Sequence, residues 1–121
     1  MILNFGNIIF LLGITLQGKA VLDSLETLNL TCNATGAERA PGGVDWFHDG
    51  IIIRPHDDRW KGRLQIYNMK SETSLRSFIS QLVIEKSKLE DHGSYICRSS
   101  NRETESIVVS ILEGKYYYRH I

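Results

Sequence analysis

A chain of 121 residues has room for one domain, with a core small enough that a covalent staple would add usefully to its stability. Fourteen Lys and Arg offset fourteen Asp and Glu, so no long-range field draws the protein to nucleic acid or to an anionic membrane. The one basic cluster, Arg54, Arg59, Lys61 and Arg63, is interrupted by Asp57 and Asp58 and reads as a solvated loop.

The first residues, MILNFGNIIFLLGITLQGKA, hold an apolar run from Ile8 to Leu16 and then small residues at Gly18 and Ala20, a spacing that a signal peptidase accepts. Residues 1–20 are therefore expected to be a signal peptide cleaved after Ala20, although its first turn carries no Lys or Arg. The alternatives are a misplaced start or a membrane-inserted anchor, but the run is well short of the ~20 residues a spanning helix needs. Export places Cys32 and Cys97 in an oxidising compartment, and with no CxxC and no Cys/His metal spacing they are expected to pair with each other. Such a bridge closes a loop of about 65 residues, for which the chain-entropy treatment gives roughly 4 kcal/mol.

Between the cysteines the chain alternates. LNLTC sets Leu28, Leu30 and Cys32 against Asn29 and Thr31, the period of a strand with one buried face. GGVDWFHDG gives a turn at Gly42 and Gly43, a strand with Val44, Trp46 and His48 on the inner face, and an Asp49–Gly50 turn. GRLQIYN alternates Leu64 and Ile66 with Gln65 and Tyr67, while SFISQLVIE alternates Phe78, Ser80, Leu82 and Ile84 with the residues between them. SYICRSSN and ESIVVSILE complete a set of short strands separated by turns, which predicts an all-β antiparallel β-sandwich.

In EDHGSYIC the residues Asp91, Gly93, Tyr95 and Cys97 fall on alternate positions. If Cys97 faces the core, so does Tyr95, whose hydroxyl can turn back onto upstream backbone as a tyrosine corner. Gly93 permits the tight turn into the strand. Asp91 needs a cation, with Arg63 the first candidate and Arg59 the substitute.

Cys32, Trp46, Leu82, Asp91, Gly93, Tyr95 and Cys97 together resemble the signature of an immunoglobulin domain, over roughly Val21 to Gly114. The resemblance implies an immunoglobulin-like Greek-key sandwich with one B–F disulfide, Cys32 lying on strand B, Trp46 on strand C against the bridge, and Cys97 on strand F. The lack of a clear extra pair of edge strands favours the I-set or C2 type. LNLTC, VDWFHDG, SFISQLVIE, YICRSSN and SIVVSILEG further resemble the second immunoglobulin domain of the arthropod defective proboscis extension response proteins, two-domain neuronal surface proteins. That likeness implies recognition of other immunoglobulin-superfamily proteins. In that family the partner-binding face is on the first domain, so particular contacts do not transfer.

Cleavage after Ala20 leaves only Val21 to Thr31 ahead of Cys32, so strand A is expected to be short or missing and a sheet edge bared. The domain is expected to span residues 21–114, followed by a tail, 115–121, that includes Tyr116, Tyr117 and Tyr118 but neither an apolar span nor a lipid-anchor signal. The sequons Asn29-Leu30-Thr31 and Asn33-Ala34-Thr35 put both asparagines on the face opposite Leu30 and Cys32, where glycans would project into solvent and shield one sheet.

Catalysis is not expected. His48, His56, His92 and His120 have no ligand spacing, no metal or other cofactor is implied, and there is no GxSxG, phosphate loop or free cysteine. The expected function is an extracellular binding module, secreted or at the cell surface, whose partner is another protein of the same superfamily. The outward residues Phe47, Asp45, Ile96 and Arg98 of strands C and F are its candidate contacts. Phe47 reads either as an interface anchor or as partly covered by the following IIIRP segment. A soluble modulator of a ligand or receptor, and a spacer domain from a longer receptor, are the alternatives.

Overall fold

A computed structural model describes residues 2–5, 8–11, 13–71 and 74–113; Gly114 and the tail 115–121 lie outside the described residues. In chain order the strands are β1 (Ile2–Phe5), β2 (Ile8–Leu11), β3 (Gly13–Gly18), β4 (Val21–Asp23), β5 (Leu28–Thr35) and β6 (Val44–His48). They continue as β7 (Ile51–Ile52), β8 (Leu64–Lys70), β9 (Ser77–Ile84), β10 (Gly93–Ser99) and β11 (Thr104–Leu112), with one 3-10 turn, Leu89–Asp91, leading into β10. One sheet has the order β3-β5-β9-β8 and the other β4-β11-β10-β6-β7; β1 and β2 form a separate two-stranded ladder. The two larger sheets are the expected immunoglobulin-like sandwich, with a single short extra edge strand, β7, in place of the pair that marks the variable type.

Alternation places the core. On β5 Leu28, Leu30, Cys32 and Ala34 are buried, and on β9 Ser80, Leu82 and Ile84 meet them from the neighbouring strand. From the opposite sheet come Trp46, His48, Tyr95, Cys97, Val109 and Ile111. The Cys32–Cys97 disulfide joins β5 to β10 across the core, with Cα atoms 6.4 Å apart, and Trp46 is the cross-strand neighbour of Cys97. Burying an indole requires a partner for its N–H. Here Trp46 Nε1 donates to Ser80 Oγ at 2.9 Å, and Ser80 in turn donates to Asn68 Oδ1 at 2.7 Å. Ser80 thus interrupts an apolar run because the indole on the facing sheet needs an acceptor.

The approach to β10 is held by Asp91, which is 1% exposed. Arg63 takes it bidentately at 2.7 and 3.0 Å, and the Lys88 backbone N–H donates to the same carboxylate at 2.8 Å. These hydrogen bonds raise the Arg63 guanidinium above its ordinary range. Arg59, the other cation considered, instead lies over the Trp60 ring at 4.2 Å and bonds the buried His48. The Tyr95 hydroxyl donates to the Asp91 carbonyl, which makes the tyrosine corner, and burial pushes that hydroxyl's pKa up. Gly93 has φ +131°, and a Cβ there would come within 2.7 Å of Asp49 Oδ2. The close approach lets Asp49 Oδ1 accept the Ser94 N–H at 2.9 Å, which holds the Asp49 carboxyl below its ordinary value.

The uncleaved chain carries a strand A ahead of the expected cleavage point: β3 pairs antiparallel with β5 from Gly13↔Thr35 to Gly18↔Leu30, turning Ile14 and Leu16 toward the core and leaving Thr15 and Gln17 exposed. The chain then crosses to the other sheet, where β4 runs parallel to β11 and the Ala20 carbonyl accepts the Ser110 N–H at 2.8 Å. The apolar run of the sequence ends in strand alternation, and its small residues have structural roles. A Cβ on Gly18 would sit 2.5 Å from the Asn29 carbonyl oxygen and 2.7 Å from Leu30 Cδ2. A molecule cleaved after Ala20 would lack β3 and bare the edge of β5.

Four outcomes follow from these contacts. Gly18→Val is expected to destabilise the protein by about 1–3 kcal/mol through overpacking, against little change for Thr15→Ala, measured by urea unfolding. A product whose mass begins at Val21 would show no effect of either substitution. Asp91→Ala, which strands the Arg63 charge, is expected to cost about 3–5 kcal/mol, and Tyr95→Phe about 1–2 kcal/mol. Because Asp49 has a depressed folded pKa, its stabilisation is fully present above the unfolded value near 3.8 and is lost as pH falls through the lower folded value. The stability gap between the native chain and Asp49→Ala should therefore narrow below about pH 4 in acid titrations followed by circular dichroism.

Candidate partner-binding face

Strand alternation also determines what each sheet shows to solvent. On the β4-β11-β10-β6-β7 sheet the residues between the core positions face outward, and the register brings them into rows. One row runs Ile52, Phe47, Ile96, Ser106 across four strands. The next holds Asp45, Arg98 and Thr104, and on the other side Ser94 sits opposite Val108. Val108 is 66% exposed and Val21, opposite Ser110 on β4, is 53% exposed.

The four outward residues singled out from the sequence therefore form one contiguous group. Phe47 is the cross-strand neighbour of Ile96, and Asp45 that of Arg98. Arg98 bonds Asp45 at 3.2 Å and carries its guanidinium over the Phe47 ring at 4.7 Å. Both charged side chains are about half exposed, so water screens the ion pair and it contributes at most about 1 kcal/mol. Its consequence is geometric: it holds a flat cation against an aromatic face. Phe47 itself is half-buried, because Ile52 of the IIIRP segment pairs alongside it. Beyond Arg98 the surface dips into a cleft of about 500 Å³ lined by Asp45, Arg98, Ser99, Ser100 and Arg102.

Sequence reasoning missed Ile52 and Val108 as members of this face. The alternation of ESIVVSILE was enough to turn Val108 outward, but nothing local showed that β11 lies beside β10 at that register. It missed Trp60 as well, which is buried and packs edge-on against His48 with ring centroids 5.8 Å apart. Asn29 and Asn33 stand on the other sheet, facing away from the core on β5. Among the described residues no group of three or more His, Cys, Asp or Glu is placed to hold a metal ion. His48 is committed to the fold, with Nε2 donating to the His92 carbonyl at 2.7 Å and Nδ1 facing Arg59. The arrangement offers an apolar strip with a charged margin, suited to contact with another surface.

A family model described as an immunoglobulin domain matches residues 13–101. Among solved structures, the chain is similar to Dpr2 Ig1–Ig2, crystallised in complex with DIP-Theta Ig1–Ig3. The identity is 21% and the TM-score 0.63, covering 84% of this chain and 49% of that one. It thus spans about half the length of that relative. The first immunoglobulin domain of the mouse polymeric immunoglobulin receptor is similar at 17% identity and a TM-score of 0.60, covering 84% of this chain and 96% of the receptor domain. A chain of the ZIG-8–RIG-5 IG1–IG1 heterodimer is similar at 17% identity and a TM-score of 0.51, covering 78% of this chain and 81% of that one. No curated protein matches. The family match starts at the first residue of β3 and takes in the disulfide, the buried tryptophan and the tyrosine corner, and the chain belongs to the immunoglobulin domain family.

Proposed function

We propose that the chain is an extracellular recognition module that binds an immunoglobulin domain of another cell-surface protein through the outer face of the β4-β11-β10-β6-β7 sheet. The observation that carries this reading is the row of Ile52, Phe47 and Ile96, with exposed Val108 diagonally placed on the next strand opposite Ser94, bordered by the Arg98–Asp45 pair. An aromatic flanked by apolar neighbours and rimmed by charge has the composition of an interface centre. Two similar structures, those of Dpr2 with DIP-Theta and of ZIG-8 with RIG-5, are complexes between immunoglobulin-domain proteins, and they support a partner of the same superfamily. The resemblance of LNLTC, VDWFHDG and YICRSSN to defective proboscis extension response proteins supports a neuronal setting.

Displayed as a multivalent probe, the chain is expected to bind selectively within a panel of invertebrate neuronal immunoglobulin ectodomains, because clustering raises weak single-domain contacts into a measurable range. Phe47→Ala should weaken that binding by roughly 30-fold or more, as loss of a central anchor of about 2 kcal/mol does. Gln65→Ala, on the other sheet, should leave it unchanged. Binding that survives Phe47→Ala would remove this face from the account, and no binding at all by a folded, disulfide-bonded probe would favour a spacer domain.

A further inference from the structure

The second exposed face of the sandwich carries apolar side chains that the recognition strip does not explain. On the outside of the β3-β5-β9-β8 sheet, Tyr67 and Met69 are 49% and 46% exposed; the half-buried Ile79 stands between Met69 and β5, Gln81 between Tyr67 and β5, and the half-buried Val83 between Gln65 and β5. The register sets Asn33 directly opposite Ile79, with Met69 beyond it, and Asn29 directly opposite Val83. Both asparagines belong to sequons whose threonines, Thr31 and Thr35, lie on the same outward face of the same strand. Their side-chain oxygens are engaged, Asn29 Oδ1 by Gln81 Nε2 at 2.9 Å and Asn33 Oδ1 by the Thr35 hydroxyl at 3.4 Å. No protein group bonds either Nδ2 atom among the described residues, and Nδ2 is the atom that carries a sugar.

We propose that Asn29 and Asn33 both carry N-linked glycans and that the first sugars of these glycans cover the apolar face formed by Ile79, Val83, Tyr67 and Met69. The proposal rests on the extracellular reading above. In the transfer, Nδ2 displaces the lipid diphosphate from the anomeric carbon of a lipid-diphosphate-linked oligosaccharide. A C–N bond forms, the anomeric C–O bond breaks, the lipid diphosphate leaves, and the amide proton passes to base. Four residues along a strand separate the two attachment points by about 13 Å, enough for both sugars to lie side by side. Each lies within one or two strand spacings of about 4.8 Å from the side chains it would cover. Apolar sugar faces over this sheet leave the Phe47 strip as the open apolar surface, so the two faces of one small sandwich have separate uses.

The test expresses the full chain behind a heterologous leader in secreting insect cells, so that entry to the pathway does not depend on its own first residues. The intact mass should fall by two glycans on treatment with peptide-N-glycosidase F, and Asn29→Gln or Asn33→Gln should each remove one. No mass shift, or a single glycan, overturns double occupancy. Enzymatic removal from the already folded protein, with circular dichroism unchanged, should raise binding of an anilinonaphthalene dye several-fold, and Tyr67→Ser with Met69→Ser should reverse most of that rise. This measurement avoids any folding defect of the Gln variants. Dye binding unaltered by sugar removal overturns the covering role. Neither readout depends on the Phe47 face, so these outcomes and those of partner binding can fail separately.

Discussion

The Cys32–Cys97 bond is the constraint on which the rest depends. It ties the middle of β5 to the middle of β10, strands of different sheets separated by 65 positions in the chain. Once both sulfurs must point between the sheets, the alternation of each strand has no freedom left. Leu28, Leu30 and Ala34 go inward with Cys32, and Tyr95 goes inward with Cys97. A slip of one residue would turn every one of these side chains to water. The buried polar groups fit the same frame: Ser80 accepts the Trp46 indole, and Asp91 receives Arg63 and the Lys88 amide. They replace hydration that the bridge and its surrounding core exclude.

The same alternation sorts the surface. Because inward positions are assigned by the core, outward positions are assigned too, and the two faces of the sandwich acquire different character. The β4-β11-β10-β6-β7 face has an aromatic strip edged by an ion pair. The β3-β5-β9-β8 face has two sequons on β5 and, across β9, exposed Tyr67 and Met69 on β8. Neither difference can be moved to the other face without a register change that the disulfide forbids. Function is thus written on positions whose direction was decided by packing.

The N-terminal segment shows how one local pattern serves two physical purposes. An apolar run followed by Gly and Ala fits a leader and its cleavage site, and Ile14, Thr15, Leu16 and Gln17 fit an edge strand equally well. Both need apolar residues, and both tolerate a Gly where another backbone comes close. In the uncleaved chain the strand brings Gly18 up to the Asn29 carbonyl, an approach between residues that no local pattern joins. The sequence names Arg63 first and Arg59 second as the cation for Asp91, and the structure pairs Arg63 with it. Arg63 precedes β8 and reaches the carboxylate, whereas Arg59 is drawn to Trp60 and His48, a ring pair whose meeting depends on the folded loop.

From the sequence alone came the inward set of each strand, the pairing of the two cysteines, and the tyrosine corner with its aspartate, glycine and tyrosine. These are legible because a strand's period and a turn's geometry are local properties, visible within a few residues. The tertiary structure decided which strands lie side by side, and with that the place of Ile52 next to Phe47 and of Val108 opposite Ser94, and the place of residues 13–18 of the uncleaved chain as the edge of a sheet. Backbone hydrogen bonds pair strands without regard to side-chain identity, so adjacency is set by the whole core at once and leaves no signature in any single segment.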